Sequence, residues 1–297
     1  MSTSAPDEAG LRVDPEEYTE EYYLNDCEGF DVYRQTNGRE LSPRLATVFN
    51  LAHVRPGERV LDVACGRGEL VVHSALRGAV AIGLDYAAAA TKLTRQVVAT
   101  LPEKERARTG VVWMDGTRLG FPTASFDVIF MVDYVEHLYP HELDRSLDEA
   151  YRVLKPSGRL VIHTAPNSIL AHTTWPYYIR HVHRGVLRLA RAANFKDKFI
   201  NEMMLPKGEA FPLEGDYDHV HVNEQTPDGL AATVRKRGFR DVTLGLKSPP
   251  HPPLYKSLRY NVEIKALDVL RFLWPASNFW PLNRFFAQHI WVTARRP

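Results

Sequence analysis

Residues 60–70, VLDVACGRGEL, join a short apolar run to a glycine-rich turn. The run VLDV is typical of a buried strand, and Glu69 opens a stretch of helical composition. Gly66 and Gly68 let the backbone approach a ligand closely, and a helix that begins there offers unpaired N–H groups. The pattern is Gly-x-Gly-x-x-Val, so the third glycine of the dinucleotide fingerprint is missing. The turn therefore predicts a ligand site at the end of a strand and disfavours an oxidoreductase.

On both sides of this turn, short apolar runs alternate with helical stretches. From residue 59 onward, five runs have strand character: RVLDVA, AVAIGLD, VVWMD, FDVIFMVD and GRLVIHTA. The stretches 69–77, 87–100 and 141–153 between them have helical composition. The pattern resumes with a helix at 227–237, a strand near 242–246 and a final strand, HIWVTARRP. Continuous apolar strands separated by helices predict an α/β fold with a mostly parallel sheet and helices on both faces.

Carboxylates accompany the predicted strands at one end. Asp62 lies in the first strand, and Asp85 ends the second in GLDY. Asp115 ends the third strand and Asp133 follows the fourth. Each could be a helix cap or turn residue in isolation. Because the carboxyl ends of parallel strands form the edge where ligands bind in such sheets, their joint placement predicts a binding site.

The order of these motifs resembles a known family. VLDVACGRG, GLDY, MDGTRLGFPTASFD and RVLKPSGRLVI occur in the order and spacing of class I S-adenosylmethionine-dependent methyltransferases. The resemblance covers about residues 40–165 and 220–245, and it implies a Rossmann-like sheet of seven strands with S-adenosylmethionine as the cofactor.

The same resemblance assigns roles to individual residues. Asp62 and the backbone from Ala64 to Gly68 would hold the methionine end of the cofactor. Asp85 would bind the ribose, Tyr86 would pack on the adenine, and Asp115 would accept from the adenine amino group. The predicted cofactor-binding residues are Asp62, Ala64, Cys65, Gly66, Gly68, Asp85, Tyr86, Asp115, Gly116 and Val132. In this family a cysteine such as Cys65 is a small buried residue, which disfavours a catalytic thiol.

Further polar residues follow the fourth strand, where the family meets its acceptor. Asp133, Glu136 and His137 fall within one helical turn, so we expect their side chains to converge. The segment is similar to the E-x-x-E-H signature of metal-dependent O-methyltransferases that act on vicinal diols, with Asp in place of the first Glu. That resemblance implies a Mg²⁺ site at Asp133, Glu136 and His137. In the alternative, metal-free case, Glu-His caps a turn. His137 and Asp133 are the catalytic candidates, because an acceptor hydroxyl needs help in losing its proton.

Two more histidines are catalytic candidates. His219 and His221 precede the helix predicted at 227–237. One of them could act as a base or complete a metal set. In the alternative interpretation, both cap the sheet.

Two insertions carry most of the positive charge. The whole chain is near neutral at +1, yet stretches 167–210 and 247–285 each carry +4, which leaves −7 on the rest. A helix predicted at 176–196 places Arg180, Arg184, Arg188 and Arg191 in one stripe. Such a stripe is typical of a solvated surface, and its functional alternatives are contact with a phosphate-bearing acceptor or a peripheral membrane contact. In the second insertion, Tyr255, Tyr260, Trp274 and Trp280 indicate a sugar-stacking or interfacial surface, or the core of a small cap.

The predicted organisation has seven parts: a flexible tail at 1–14, an N-terminal helical cap at 15–55, a cofactor-binding core at 56–166, an acceptor-side insertion at 167–218, continued core at 219–246, an aromatic and proline-rich insertion at 247–285, and a final strand at 286–297. Helices are expected at 15–24 and 40–52. Two cysteines make no disulfide framework, and the first residues lack the features of a signal peptide, so we expect a cytoplasmic protein.

The sequence therefore predicts an S-adenosylmethionine-dependent O-methyltransferase that acts on a hydroxyl of a small molecule or glycan. One alternative is C- or N-methylation of a quinone-like or lipid-linked intermediate. Another is a non-catalytic cofactor-binding protein. The near-neutral charge and the lack of an RNA-binding signature disfavour a nucleic-acid partner.

Overall fold

The computed structural model describes residues 11–192, 219–247, 269, 273 and 275–297. Within them, seven strands form one mixed, mostly parallel sheet, as the sequence predicted. The strands are β1 (Arg59–Val63), β2 (Val80–Asp85), β3 (Thr109–Trp113), β4 (Phe126–Val132), β5 (Leu154–Thr164), β6 (Arg240–Lys247) and β7 (His289–Arg295). Their order in the sheet is β3-β2-β1-β4-β5-β7-β6.

The strand order fixes where a ligand can bind. Strand β1 pairs in parallel with β2 on one side and with β4 on the other. The chain therefore builds outward in opposite directions from β1, and the connections diverge beyond the carboxyl ends of β1 and β4. Open α/β sheets bind ligands in the crevice at such a switch point. Strand β7 is antiparallel to β5, because Ser157 and Gly158 exchange backbone hydrogen bonds with Arg296.

Burial explains why the central strands form. Strand β4 is buried at six of its seven positions, and Phe126 and Phe130 are fully inaccessible. Strand β6, at the edge, alternates between exposed and half-buried positions. A strand covered on both faces needs a continuous apolar run, whereas an edge strand tolerates alternation.

Helices precede and connect the strands along the chain. They are α1 (Phe30–Thr36), α2 (Pro43–Ala52), α3 (Glu69–Leu76), α4 (Ala88–Ala99), α5 (Glu103–Arg106), α6 (Pro140–Val153), α7 (Arg180–Ala192), α8 (Pro227–Lys236) and α9 (Asn283–Phe286). Ser42 caps α2 by accepting a hydrogen bond from the N–H of Leu45, at 3.3 Å, and Pro43 occupies the first turn. The helix predicted at 40–52 is thus present in shortened form.

The first predicted helix, at 15–24, is only partly formed. Pro15–Glu17 makes one 3-10 turn, for which the Asp14 side chain accepts from the N–H of Glu16. Tyr22–Asp26 makes a π-helical turn. Gly29 and Asn37, on either side of α1, adopt left-handed conformations that break the helical run. The N-terminal region is therefore a chain of short turns that can follow a curved surface.

The described residues belong to two compact units. The first comprises Met1–Thr164, Asp228–Leu244 and Trp291–Pro297, and the second comprises Ala165–Pro227 and Gly245–Ile290. The second unit has its own apolar cluster, made by Leu170, Ala171, Trp175, Ile179 and Phe286. Tyr255, Tyr260 and Trp274, predicted as an aromatic surface, lie outside the described residues.

The helix predicted at 176–196 begins differently from the expectation. A π-helix over Leu170–Ile179 contains Pro176 and leads directly into α7. An internal proline has no N–H to donate and its ring crowds the preceding turn, so the regular α-helical pattern starts only after it. Residues 193–196 lie outside the described part.

None of the described helices is both long enough and apolar enough to cross a membrane.

Candidate active site

A cleft in the first unit gathers most of the predicted site residues. It lies at the carboxyl ends of the strands, where the strand order places the crevice. The predicted residues that line it are Asp62, Ala64, Cys65, Gly66, Asp85, Tyr86, Asp115, Gly116, Val132, Asp133 and His137. Residues up to 75 positions apart in the sequence, Asp62 and His137, thus face one space.

The glycine-rich turn is held against α4. Gly68 precedes α3 in a left-handed conformation, with φ of 85°. A Cβ at Gly68 would lie 2.7 Å from Cγ2 of Thr94, closer than real contacts allow. Thr94 in turn donates from its hydroxyl to the carbonyl of Gly66, at 2.8 Å. Gly68 therefore shapes the turn by close packing and a left-handed backbone, and it does not itself line the cleft.

Asp85 is a buried carboxylate at the end of β2. It accepts hydrogen bonds from the N–H groups of Ala87, at 2.9 Å, and Gly66, at 3.1 Å. Burial raises the pKa of Asp85 to about 6, although these backbone donors oppose the shift. Each carboxylate oxygen has a second lone pair, so Asp85 can still accept from ribose hydroxyls.

Asp62 and Cys65 are also buried in the cleft wall. Burial raises the pKa of Asp62, and the neighbouring Glu69 and Asp85 carboxylates add to the rise. Burial likewise raises the pKa of the Cys65 thiol well above its usual range. Because a nucleophilic cysteine needs a stabilised thiolate, Cys65 fits a small buried residue.

At the other end of the cleft, Asp115 is surrounded by donors. One of its oxygens accepts from both the N–H and the hydroxyl of Thr117, each at 2.8 Å. Its other oxygen lies 3.1 Å from the guanidinium of Arg12. The same guanidinium stacks over the Tyr86 ring at 4.8 Å. Arg12 thus contacts both residues that the family resemblance assigns to adenine.

The N-terminal turns supply an aromatic wall that the motif analysis did not predict. Tyr18, Tyr22 and Tyr23 line the cleft. The Tyr18 ring lies 5.8 Å from the Tyr86 ring and 5.5 Å, edge to face, from the His137 ring. The run YTEEYY at 18–23 was the only sequence signal for this wall.

Arg67, between the two glycines, fastens that wall to the turn. Its side chain is only 5% exposed. It donates to the carbonyls of Tyr23 and Glu28, both at 2.9 Å, and of Cys27, at 3.3 Å. It also pairs with Glu69, at 2.9 Å. Arg67 is thus a second functional residue that sequence reasoning missed, since an arginine between two glycines gives no signal of its partners.

The part of the cleft predicted to meet the acceptor is organised around Asp133. This residue adopts a left-handed backbone conformation, with φ of 51°. One carboxylate oxygen lies 2.5 Å from Nδ1 of His163, and the other forms a short ion pair with Arg44. Burial opposes the charge on Arg44, but Asp133 and Glu28 outweigh it and raise the arginine pKa. Asp133 is therefore held between two side chains at the edge of the cleft.

The predicted metal site is not supported. Glu136 is buried and accepts from the Thr164 hydroxyl, at 2.8 Å, while His137 packs on Tyr18. Asp133 contacts Arg44 and His163, and its left-handed backbone with the 3-10 turn at Val135–His137 replaces the regular helix that the spacing assumed. In the part of the chain that the structure describes, no three His, Cys, Asp or Glu side chains are grouped to hold a metal ion.

His219 and His221 belong to the second unit. His219 is exposed and His221 is half-buried, and the described part of that stretch begins at His219. Their roles as a base or as metal ligands stay predictions.

Comparison with known proteins agrees with this geometry. Residues 61–162 match the methyltransferase domain family. The chain is 31% identical over 150 residues to the demethylmenaquinone methyltransferase of Symbiobacterium thermophilum, and the aligned residues cover 49% of this chain and 58% of that protein. It is 28% identical over 225 residues to the ubiquinone/menaquinone biosynthesis C-methyltransferase UbiE of Methylococcus capsulatus, covering 73% of this chain and 77% of that one. It is 30% identical over 132 residues to the nocamycin O-methyltransferase of Saccharothrix syringae, covering 43% and 45%. The chain thus spans about half the length of two of these relatives.

A solved structure shares the fold. The crystal structure of a SAM dependent methyltransferase from Archaeoglobus fulgidus superposes with a TM-score of 0.52 at 19% identity, covering 90% of this chain and 100% of that chain. The match to the methyltransferase domain lies on β1 to β5, which include the four strands, β1 to β4, whose carboxyl ends line the cleft. Residues 61–162 thus match a methyltransferase domain, and the seven-stranded sheet has the Rossmann-like fold of S-adenosylmethionine-dependent methyltransferases.

Proposed function

We propose that this protein transfers the methyl group of S-adenosylmethionine to a small molecule whose reacting part is a hydroxylated, quinol-like aromatic ring, and that the methyl group goes to a ring carbon. The observation that supports this most directly is the cleft itself. One continuous space is lined by Asp85 and Asp115, which are predicted to hold the methyl donor, by the aromatic wall of Tyr18 and Tyr22, and by Asp133.

The charge of the cleft suits the donor. Six acidic side chains line it against three arginines, so its net charge is negative. A negative cleft attracts a cationic ligand. S-adenosylmethionine supplies a methyl group on a positively charged sulfur, which is already activated toward displacement. The buried carboxylates and the close backbone approach at Gly66 fit this cofactor.

The aromatic wall would orient and dehydrate the acceptor. A planar ring packs well against tyrosine faces and edges, and such contacts exclude water from the path of methyl transfer. Alignment is the main task of the protein in this reaction, because a well-oriented pair of reactants gains most of its rate from proximity.

Asp133 is suited to hold the acceptor hydroxyl. The Arg44 ion pair and the His163 contact fix the direction of its carboxylate. A carboxylate that accepts from the acceptor hydroxyl, or takes its proton, increases the electron density of the ring. The ring carbon then forms a bond to the methyl group as the carbon–sulfur bond breaks, and the ring proton leaves to a base or to water. His137 lies at the same side of the cleft and is the second candidate base.

Transfer to oxygen is the second candidate function. The relatives named for quinone biosynthesis favour carbon, whereas the nocamycin O-methyltransferase favours a hydroxyl oxygen. Both reactions use a hydroxyl held at Asp133 and differ in which atom faces the donor. A glycan hydroxyl would use the same position without needing the aromatic wall.

The test is product analysis with isotope-labelled methyl donor. The protein is incubated with a short-chain demethylmenaquinol, a catechol and a set of sugars, and the products are examined by mass spectrometry and carbon NMR. A C-methylated quinol is expected, and Asp85→Ala, which removes the ribose acceptor, should abolish it. Label on oxygen would favour the second candidate. Transfer to sugars alone would refute the aromatic acceptor.

A further inference from the structure

The second unit carries a strongly cationic helix. Residues 165–192 contain four arginines, all on α7, and no aspartate or glutamate. Among all described residues of this unit, Glu224 is the single acidic side chain. The described part of this unit therefore carries a net positive charge.

Helix α7 is anchored by one row of residues and exposes another side. Ile179, just before the helix, His183 and Leu187 follow at intervals of four and are buried. At 100° per residue, the direction opposite this row lies between Arg188 and Leu189. Arg188, Arg191 and Leu189 are all exposed, Leu189 by 72%. The outward side of the helix thus presents cations beside a large aliphatic side chain.

The same unit exposes large aromatic side chains. Tyr177 is 78% exposed, Trp280 74% and Phe279 69%. In the first unit, the most exposed large apolar residue is Trp113, and its indole N–H donates a hydrogen bond to the carbonyl of Tyr86. Exposed tryptophan, tyrosine and leucine in the same unit as exposed arginines are the composition of surfaces that lie at the boundary between lipid head groups and acyl chains.

We propose that the second unit binds the surface of an anionic membrane through α7 and the exposed aromatic residues Tyr177, Phe279 and Trp280. Charge complementarity favours lipid phosphates, since the arginines outnumber acidic groups throughout the described part of this unit. The large exposed apolar groups distinguish this partner from nucleic acid, whose backbone needs cations but no aliphatic contact. This inference concerns a surface and does not depend on the reaction proposed for the cleft.

The test is co-sedimentation of the full chain with lipid vesicles. Phosphatidylcholine vesicles are compared with vesicles of equal parts phosphatidylcholine and phosphatidylglycerol, at low and high salt. Binding is expected to the anionic vesicles and should weaken with salt. A basic residue near such a surface contributes about a fivefold gain in partitioning, so Arg188→Gln with Arg191→Gln should weaken binding about 25-fold.

Matched variants separate a specific surface from general effects. Leu189→Ser with Trp280→Ser should also weaken vesicle binding, because it removes the apolar contact. Arg55→Gln with Arg95→Gln, at two exposed positions of the first unit, and Leu76→Ser, at a side chain 44% exposed, should bind as the unchanged protein does. Circular dichroism confirms that each variant is folded.

Three outcomes would overturn the proposal. The first is failure of the unchanged protein to bind anionic vesicles. The second is equal weakening by the control variants. The third is binding of α7 to a mixed-sequence RNA or to free pyrophosphate in place of lipid. The substitutions on α7 would then abolish tight RNA binding, or competition by pyrophosphate, and would leave vesicle binding intact. Methyl transfer in solution is measured in parallel, and its loss or retention bears only on the function of the cleft.

Discussion

Replacement of Arg67 by methionine tests whether the aromatic wall depends on the glycine-rich turn. The side chain is 5% exposed, donates to three backbone carbonyls of residues 23–28 and pairs with Glu69, itself 7% exposed. Methionine keeps much of the length and apolar bulk and removes every donor. The three carbonyls and the Glu69 carboxylate then lose their partner without gaining water.

The size of the effect follows from this burial. Removing one partner of a buried ion pair costs about 3–5 kcal/mol, chiefly because the remaining charge is left without compensation. A carbonyl left unsatisfied in the interior adds about 1–3 kcal/mol, unless the segment 23–28 detaches and takes up water. We therefore expect the free energy of unfolding to fall by about 3 kcal/mol or more, or residues 23–28 to open locally.

Urea denaturation and amide hydrogen exchange measure the two parts. Exchange in peptides that cover residues 20–30 should become much faster in Arg67→Met, and the affinity for the acceptor should fall more than that for the cofactor. In Arg67→Met with Glu69→Gln the orphaned charge is gone, so the double variant should recover part of the lost stability. Arg95→Met, at an exposed position, is the matched control.

The reasoning fails if Arg67→Met costs less than about 1 kcal/mol and leaves exchange at residues 20–30 unchanged. A loss in the double variant equal to the sum of the two single losses would show that Arg67 and Glu69 act independently. Either result would mean that the tyrosine wall is positioned by its own packing.

Four further predictions follow from the site. Burial raises the pKa of Asp85 to about 6, so lowering the pH through 6 removes the carboxylate that would bind the ribose. Calorimetry should then show the dissociation constant of the cofactor rising by up to about tenfold for each pH unit below 6. A dissociation constant that does not change with pH, in the parent and in Asp85→Asn alike, would contradict this role. Gly68→Ala should destabilise by about 1–3 kcal/mol for its backbone conformation alone, with an added steric cost that Thr94→Ser partly relieves; a thermal melt unchanged from the parent would refute the packing argument. Methyl transfer should be indifferent to a chelator, and a loss that magnesium restores would revive the metal site. Asp133→Asn should lower kcat far more than it changes the affinity for the cofactor, and His163→Gln should lower kcat less than Asp133→Asn does. Steady-state kinetics and calorimetry measure the two quantities, and a larger change in affinity than in kcat would contradict this prediction.

The donor half of the site could be predicted from sequence because its determinants are local. Asp62, Gly66 and Gly68 lie within one strand and one turn, and Asp85 ends the next strand. A buried strand needs a continuous apolar run, and a tight turn before a helix needs glycine, so each element carries its own composition. The structure confirmed the sheet and placed Asp62, Gly66 and Asp85 in the lining of one cleft, with Gly68 shaping the turn behind it.

The acceptor half could not be predicted in the same way. A helical spacing suggested that Asp133, Glu136 and His137 converge, but the left-handed backbone at Asp133 and the 3-10 turn after it are not the regular helix that this spacing assumes. The partners that then receive them, Arg44 and Thr164, stand 89 and 28 positions away. Local periodicity describes side-chain direction only while the backbone stays regular.

The sequence by itself thus determined the α/β sheet and predicted the edge at which it binds a ligand, because apolar runs and turns repeat within a few residues of each motif. The seven strands and the class of cofactor were implied by the resemblance of those motifs to a family. Only the tertiary structure decided that Tyr18 and Tyr23 form the cleft wall, that Arg67 fastens it and that Asp133 pairs with Arg44 rather than a metal. Those contacts join segments tens of residues apart, and their energies arise from burial and the pairing of charges, which exist only once the chain has folded.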